Sequence, residues 1–140
     1  MQNPIDDCVG FRLAAAHRRL DRLFNRKYED IGVSHADAQI LICLLERGPS
    51  RMTDIAAATG LSHSTVSRLT KELSRHRYLR RKPDPTDGRA QLLSAGNRAV
   101  GLKDELFRVQ ALVNARVRRE LADADIAHLF EILSLIEPHG

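Results

Sequence analysis

The 140 residues contain no tryptophan, and only four phenylalanines and two tyrosines. So few rings make a poor platform for stacking splayed-out bases, which sets single-stranded RNA recognition aside. Only two cysteines are present, Cys8 and Cys43, with no Cys-x-x-Cys pair and no His/Cys cluster. That provides neither a disulfide framework nor the ligands of a structural zinc site. No apolar run approaches the roughly 20 residues of a membrane span, and the first residues lack the basic-then-apolar layout of a secretory leader. There is no phosphate-cradling glycine loop and no nucleophile motif, and the six histidines are scattered. No enzymatic activity, metal, cofactor or membrane partner is expected, and a cytoplasmic location is the simplest expectation.

What is present is ordinary in amount and unusual in placement. Hydrophobic content of 43% and charged content of 29% suit a globular protein of a single domain spanning 1–140. The net charge of +4 is unevenly spread. Residues 1–61 balance 8 Lys/Arg against 8 Asp/Glu, and residues 90–140 hold 6 against 7. Residues 62–89 hold 8 (Arg68, Lys71, Arg75, Arg77, Arg80, Arg81, Lys82, Arg89) against only Glu72, Asp84 and Asp87. The whole excess is in that one segment, as a phosphate-binding surface requires.

The segment begins inside a pattern that runs from Met52 to Leu69. Ile55 and Ala56 are followed by Gly60, then by Leu61, Val66 and Leu69. This is the spacing of a helix-turn-helix. Ala56 fits where two crossing helices nearly touch, and Gly60 fits a turn that needs positive φ. The outer face of the second helix then presents His63, Ser64, Ser67, Arg68 and Lys71. These are short hydrogen-bonding groups and cations suited to base edges and phosphates in a major groove. Ser62, Ser64 and Thr65 near its N-terminus suit phosphate contact. Arg75, Arg81 and Lys82 extend the same basic stretch.

Around this motif, apolar residues at steps of three and four predict a helix over 5–28, ended by Gly32. Ser34 and Asp37 form a capping-box pattern for a helix over 35–47 that is apolar nearly all round and therefore central. The motif helices are expected at 51–59 and 62–76. Tyr78–Lys82, a turn over Pro83–Gly88, and Arg89–Ser94 read as a β-hairpin. Two more helices are expected, over 97–121 and 123–136. The fold class is thus mainly α with a small β-hairpin wing. A winged helix-turn-helix core at 33–96 is flanked by helical segments, 1–31 and 97–140, whose apolar stripes the small core cannot cover. A second copy of the chain would cover them, so the flanking segments are expected to be dimerisation helices of a homodimer.

With these elements in place the chain resembles the MarR family of bacterial transcriptional regulators, over essentially all 140 residues. The sharpest matches are Ile55-Ala56 to Leu61-Ser62, the run Ser64–Leu69, and Asp84-Pro85-Thr86-Asp87-Gly88-Arg89. The last corresponds to the family's wing tip, which carries Asp-x-Arg after an Asp-Pro-x turn. The resemblance implies a homodimeric, sequence-specific regulator of double-stranded DNA, acting as a repressor or an activator on a near-palindromic operator. It implies that Arg89 enters the minor groove and that Asp87 holds an arginine in place. It also implies release by a small aromatic or phenolic effector, for which Phe11, His17, Arg18, Cys43 and Phe107 are candidate contacts. Two positions depart from the family pattern. Arg77 stands where the family usually has glycine, which implies a different end to the recognition helix. Leu93-Ser94-Ala95 runs straight into Gly96, which implies a stubby wing.

Two other functions compete with DNA binding. A winged-helix module that binds protein would favour aromatic and aliphatic anchors on the exposed helix, where small polar and cationic residues stand instead. Redox sensing through Cys8 would need the thiol where the hydroperoxide-sensing branch of the family has it. Aligned on Phe11-x-Leu13 that place is Gly10, and two residues turn a side chain roughly 200° round a helix.

Overall fold

The computed structural model describes residues 4–136. Helix α1 (Val9–Tyr28) leads through a short 3-10 turn (Glu29–Ile31) to α2 (His35–Arg47), α3 (Met52–Thr59) and α4 (His63–Arg75). Strands β1 (Leu79–Asp84) and β2 (Asp87–Ala95) follow, then α5 (Asn97–Gly101), α6 (Lys103–Arg119) and α7 (Asp123–Leu135). The outer ends of the expected terminal segments, 1–3 and 137–140, lie outside the described residues.

Local chemistry sets most of the boundaries. The Ser34 side chain accepts from the Asp37 N–H at 3.0 Å, and the Asp37 carboxylate accepts from the Ser34 N–H at 3.3 Å. This reciprocal cap starts α2 as expected. Gly60 ends α3 with φ +75°, and Ser62 caps α4 by accepting from the Thr65 N–H at 3.2 Å.

Two helices differ from the pattern. The first starts at Val9 instead of residue 5, because Cys8 is extended and its N–H closes a turn onto the Ile5 carbonyl. The expected helix over 97–121 is split after Gly101, a poor helix former, where the Leu102 N–H bonds back only three residues to Ala99.

Helix α2 is the centre of the core. Its Ala38, Ile40 and Leu41 are fully buried, and they pack with Ile55, Val66, Leu93, Leu106 and Val109 from α3, α4, β2 and α6. Each such valine, leucine or isoleucine side chain contributes about 1.5–3 kcal/mol on burial. Leu61 and Leu69, expected inside, are only half-buried. Tyr28 lies at 1% exposure, and its hydroxyl donates to the Leu106 carbonyl at 3.4 Å. Burial pushes its phenol up to about 12.

The flanking helices are different in kind. Val9, Phe11, Leu13 and Leu20 of α1 are exposed, as are Leu129, Phe130, Ile132, Leu133 and Leu135 of α7. Ile126 is the only buried residue of α7.

Candidate nucleic-acid interface

Helix α4 rests on Val66, Thr70 and Leu73, all buried, and turns its other side outward. His63, Ser64, Arg68, Lys71 and Arg75 are exposed there, while Thr65 and Ser67 are half-buried. The sequence placed these residues on one surface, and the structure brings them together. Their neighbours differ. Ser62 Oγ also donates to Thr65 Oγ1 at 2.8 Å, so its main work is capping. Arg75 is held by Glu72 at 2.9 Å, which reduces its availability to an external phosphate. Arg68 and Lys71 carry no such partner among the described residues.

The end of α4 is a Schellman motif. The Tyr78 N–H bonds to the Leu73 carbonyl at 2.8 Å and the Arg77 N–H to the Ser74 carbonyl at 3.1 Å. Arg77 itself has φ +64°. The expectation of a different helix end is therefore corrected. Arginine adopts the left-handed conformation that glycine usually supplies, at a cost on the order of 1 kcal/mol. Gly96, at the far end of the hairpin, is needed for another reason. A Cβ there would stand 2.7 Å from the Arg77 carbonyl oxygen.

The wing pairs in antiparallel register from Leu79↔Ala95 to Pro83↔Gln91, then jumps to Asp84↔Asp87. Gly88, Arg89 and Ala90 form the bulge, opposite Pro83, which has no N–H to offer a ladder. The wing is therefore a full hairpin closed by Pro85-Thr86, with Arg89 exposed on the bulge near its tip. Asp87 accepts from the Arg89 backbone N–H at 3.1 Å, so it fixes the chain at Arg89 and not its guanidinium.

Two links that sequence reading missed tie this wing down. Asp84 is buried at 6% exposure. It accepts from the Thr86 N–H at 2.9 Å and hydroxyl at 2.8 Å, and from Arg51 Nε at 2.7 Å. The Thr86 N–H and then its hydroxyl, with Arg51 behind them, hold the Asp84 carboxyl below its usual value. An Asp followed two residues later by a free N–H is an Asx-turn signal, and it was legible. The pairing with Arg51, 33 residues away, was not. Arg81, expected on DNA, instead bends back onto α4. Its Nε donates to Ser74 Oγ at 3.1 Å, and its other nitrogens lie 3.3 Å from Gln91 Oε1 and 3.4 Å from Thr70 Oγ1. Lys82 remains exposed.

The five candidate effector residues do not form one site. His17 and Cys43 line a cleft of about 350 Å³ between α1, α2, α3 and α6, with Phe24, His35, Arg47 and Gln110. Phe107 lines an adjoining groove that shares Leu20, Phe24 and Gln110. Phe11 and Arg18 lie elsewhere, on a groove along α1 with Ile5 and Arg12. In the first cleft the His35 ring stacks on Phe24 with centroids 4.0 Å apart, and its Nδ1 meets Asp21 Oδ1 at 2.8 Å. Burial lowers the His35 pKa, against the opposing pull of Asp21. Burial also raises the Cys43 thiol, which disfavours the reactive thiolate.

A capped helix turned outward beside an anchored hairpin defines a winged helix-turn-helix fold. The MarR family model matches residues 31–90, the stretch that holds the helix-turn-helix and the start of the wing's second strand. Among curated proteins none matches the chain by sequence.

Solved structures match along almost the whole chain. One is Bordetella bronchiseptica BpsR, from work on regulation of its DNA binding by 6-hydroxynicotinic acid, with 20% identity, TM-score 0.85 and 100% of both chains covered. Another is CouR from Rhodococcus jostii RHA1 bound to p-coumaroyl-CoA, with 21% identity, TM-score 0.83 and 99% of both chains. A third is a mutant of MarR from E. coli complexed with operator DNA, with 16% identity, TM-score 0.80, and 93% of this chain and 94% of that one. At these identities the likeness is one of fold. No helix among the described residues is long and apolar enough to cross a membrane.

Proposed function

We propose that the chain binds duplex DNA sequence-specifically as a homodimer and acts as a transcriptional repressor. The observation that carries this reading is the exposed face of α4, on which Arg68 and Lys71 stand free beside a wing presenting Arg89. Helix α4 enters the major groove, with Ser64 and Thr65 against phosphates and Arg68 bidentate to guanine, an interaction worth roughly 1–3 kcal/mol of discrimination. Arg89 enters the neighbouring minor groove, whose narrow walls concentrate negative potential. Similarity to a structure complexed with operator DNA supports the reading.

The bare apolar faces of α1 and α7 support the dimer, because Phe130 at 56% and Leu135 at 80% exposure would otherwise face water. Residues 33–96 then serve as the reading domain, and 1–31 with 97–140 as the clasp. A twofold dimer takes a near-palindromic site with half-sites about 34 Å apart. The effector cleft is assigned to the space lined by His17, His35 and Cys43, between the clasp helix α1 and the reading domain. An aromatic effector stacking in that cleft would shift the two reading heads and release DNA.

Anisotropy titrations with fragments of the source genome, at several salt concentrations, test the reading. A preferred fragment should emerge, its affinity falling steeply with salt. The Arg89→Ala variant should weaken binding and flatten the salt slope by about one unit. Equal affinity for every duplex, or an unchanged R89A titration, would refute it.

A further inference from the structure

The C-terminal end of α4, the start of β1 and the start of α5 meet at the base of the wing around a cavity of about 450 Å³. Ser74, His76, Arg77, Arg80, Asn97 and Arg98 line it, and no carboxylate does. Arg98 is already positioned. Its guanidinium lies over the Tyr78 ring, 4.2 Å from the centroid, and donates to the His76 carbonyl at 3.2 Å. Arg77 and Arg80 pair with no carboxylate among the described residues. The closest acid on α4, Glu72, is held by Arg75 at 2.9 Å, with His76 at 3.8 Å. A cation at position 77 also persists in a backbone conformation that glycine would hold without strain. The site lies the length of α4, roughly 20 Å, from the capped end at Ser62.

We propose that this cavity binds a small molecule carrying a diphosphate group. Three guanidinium forks match phosphate oxygens two at a time, and their summed charge calls for a polyvalent anion, since a single carboxylate would leave most of it unbalanced. The Ser74 hydroxyl and the Asn97 amide add neutral donors. A ligand here joins the end of the recognition helix to both the wing and α5. By linkage, any change it makes in DNA affinity is matched by the change DNA makes in its own.

Inorganic pyrophosphate is the probe, titrated calorimetrically into the full-length protein in chloride buffer without DNA. Saturable binding of one pyrophosphate per chain is expected at millimolar concentration or below. Arg77→Gly and Arg98→Gln should each weaken it about tenfold or more. Arg89→Ala, on the wing tip, should leave it unchanged. Arg77→Gly keeps the fold because glycine tolerates φ +64°, so a melting curve at or above that of the parent separates a binding defect from a folding defect. The absence of saturable binding overturns the proposal. So does equal weakening by R89A, which would mark mere net charge. A third refuting result is that the Arg77 and Arg98 variants weaken only duplex affinity, which would make the partner a DNA phosphodiester.

Discussion

Gly96 and Asp84 carry little of the buried volume, yet each is held by contacts that few other residues would satisfy. Alanine at 96 would bring a Cβ within 2.7 Å of one backbone oxygen and 3.2 Å of the Tyr78 carbonyl, groups that cannot swing away. Gly96→Ala should cost about 1–3 kcal/mol, the usual range for an overpacked site, in urea unfolding. Asp84 works through charge. Its carboxyl is held below the ordinary value of 3.8 by Thr86 and Arg51, so the stabilisation it gives is fully present above that value. That stabilisation disappears as the pH falls through the lower folded-state value. Asp84→Asn should therefore melt below the parent at neutral pH, and the two melting curves should converge on acidification below 3.8. A gap that is independent of pH would mean that shape, not charge, is what the site needs.

At the scale of elements, the wing is tied to the start of α3 by Arg51 on Asp84 and to α4 by Arg81 on Ser74. This changes what Arg81 is expected to do. Deleting one cation that neutralises a DNA phosphate reduces the salt slope by about one, whereas cutting an internal strap lowers affinity at every salt concentration alike. Arg81→Gln should behave in the second way, and Arg89→Ala in the first, in parallel salt titrations.

The same contrast marks what could be read from the sequence. Ser34 with Asp37, Gly60 and Ser62 were legible because capping and left-handed turns depend on neighbours within a few positions. Arg81 looks in sequence like one more cation in a basic run, and only the fold shows that its reach ends on α4. Arg77 argues locally against the glycine-type helix end. Local propensity is worth about 1 kcal/mol there, and two backbone hydrogen bonds with the buried Leu73 and Tyr78 outweigh it. The split at Gly101 is likewise hidden by an apolar period that runs on through it. The candidate effector residues rest on a family's general habit, and helix phase separates Phe11 and Arg18 from the cleft that holds His17 and Cys43.

The whole molecule is two unequal parts, a core closed around α2 and two helices whose apolar sides face outward. Leu133, at 44% exposure, and Phe130 stand on α7, while Leu13 and Phe11 stand on α1. Burying a side chain of this size contributes about 1.5–3 kcal/mol, so several of them shared between two chains are enough to hold a dimer together. Leu133 stands on α7 outside the core cluster that α2 centres, so a charge placed there should leave α2, α3 and α4 intact. Leu133→Glu should therefore turn a dimer into a monomer in sedimentation while the core keeps its cooperative melt. Operator affinity should then fall far more than removal of any single DNA-binding side chain would lower it. Two linked heads share one encounter, and the second binds at the effective concentration its partner sets. If L133E stays dimeric, α7 is not the clasp. If it is monomeric and binds the operator undiminished, one reading head suffices and the palindrome is not required.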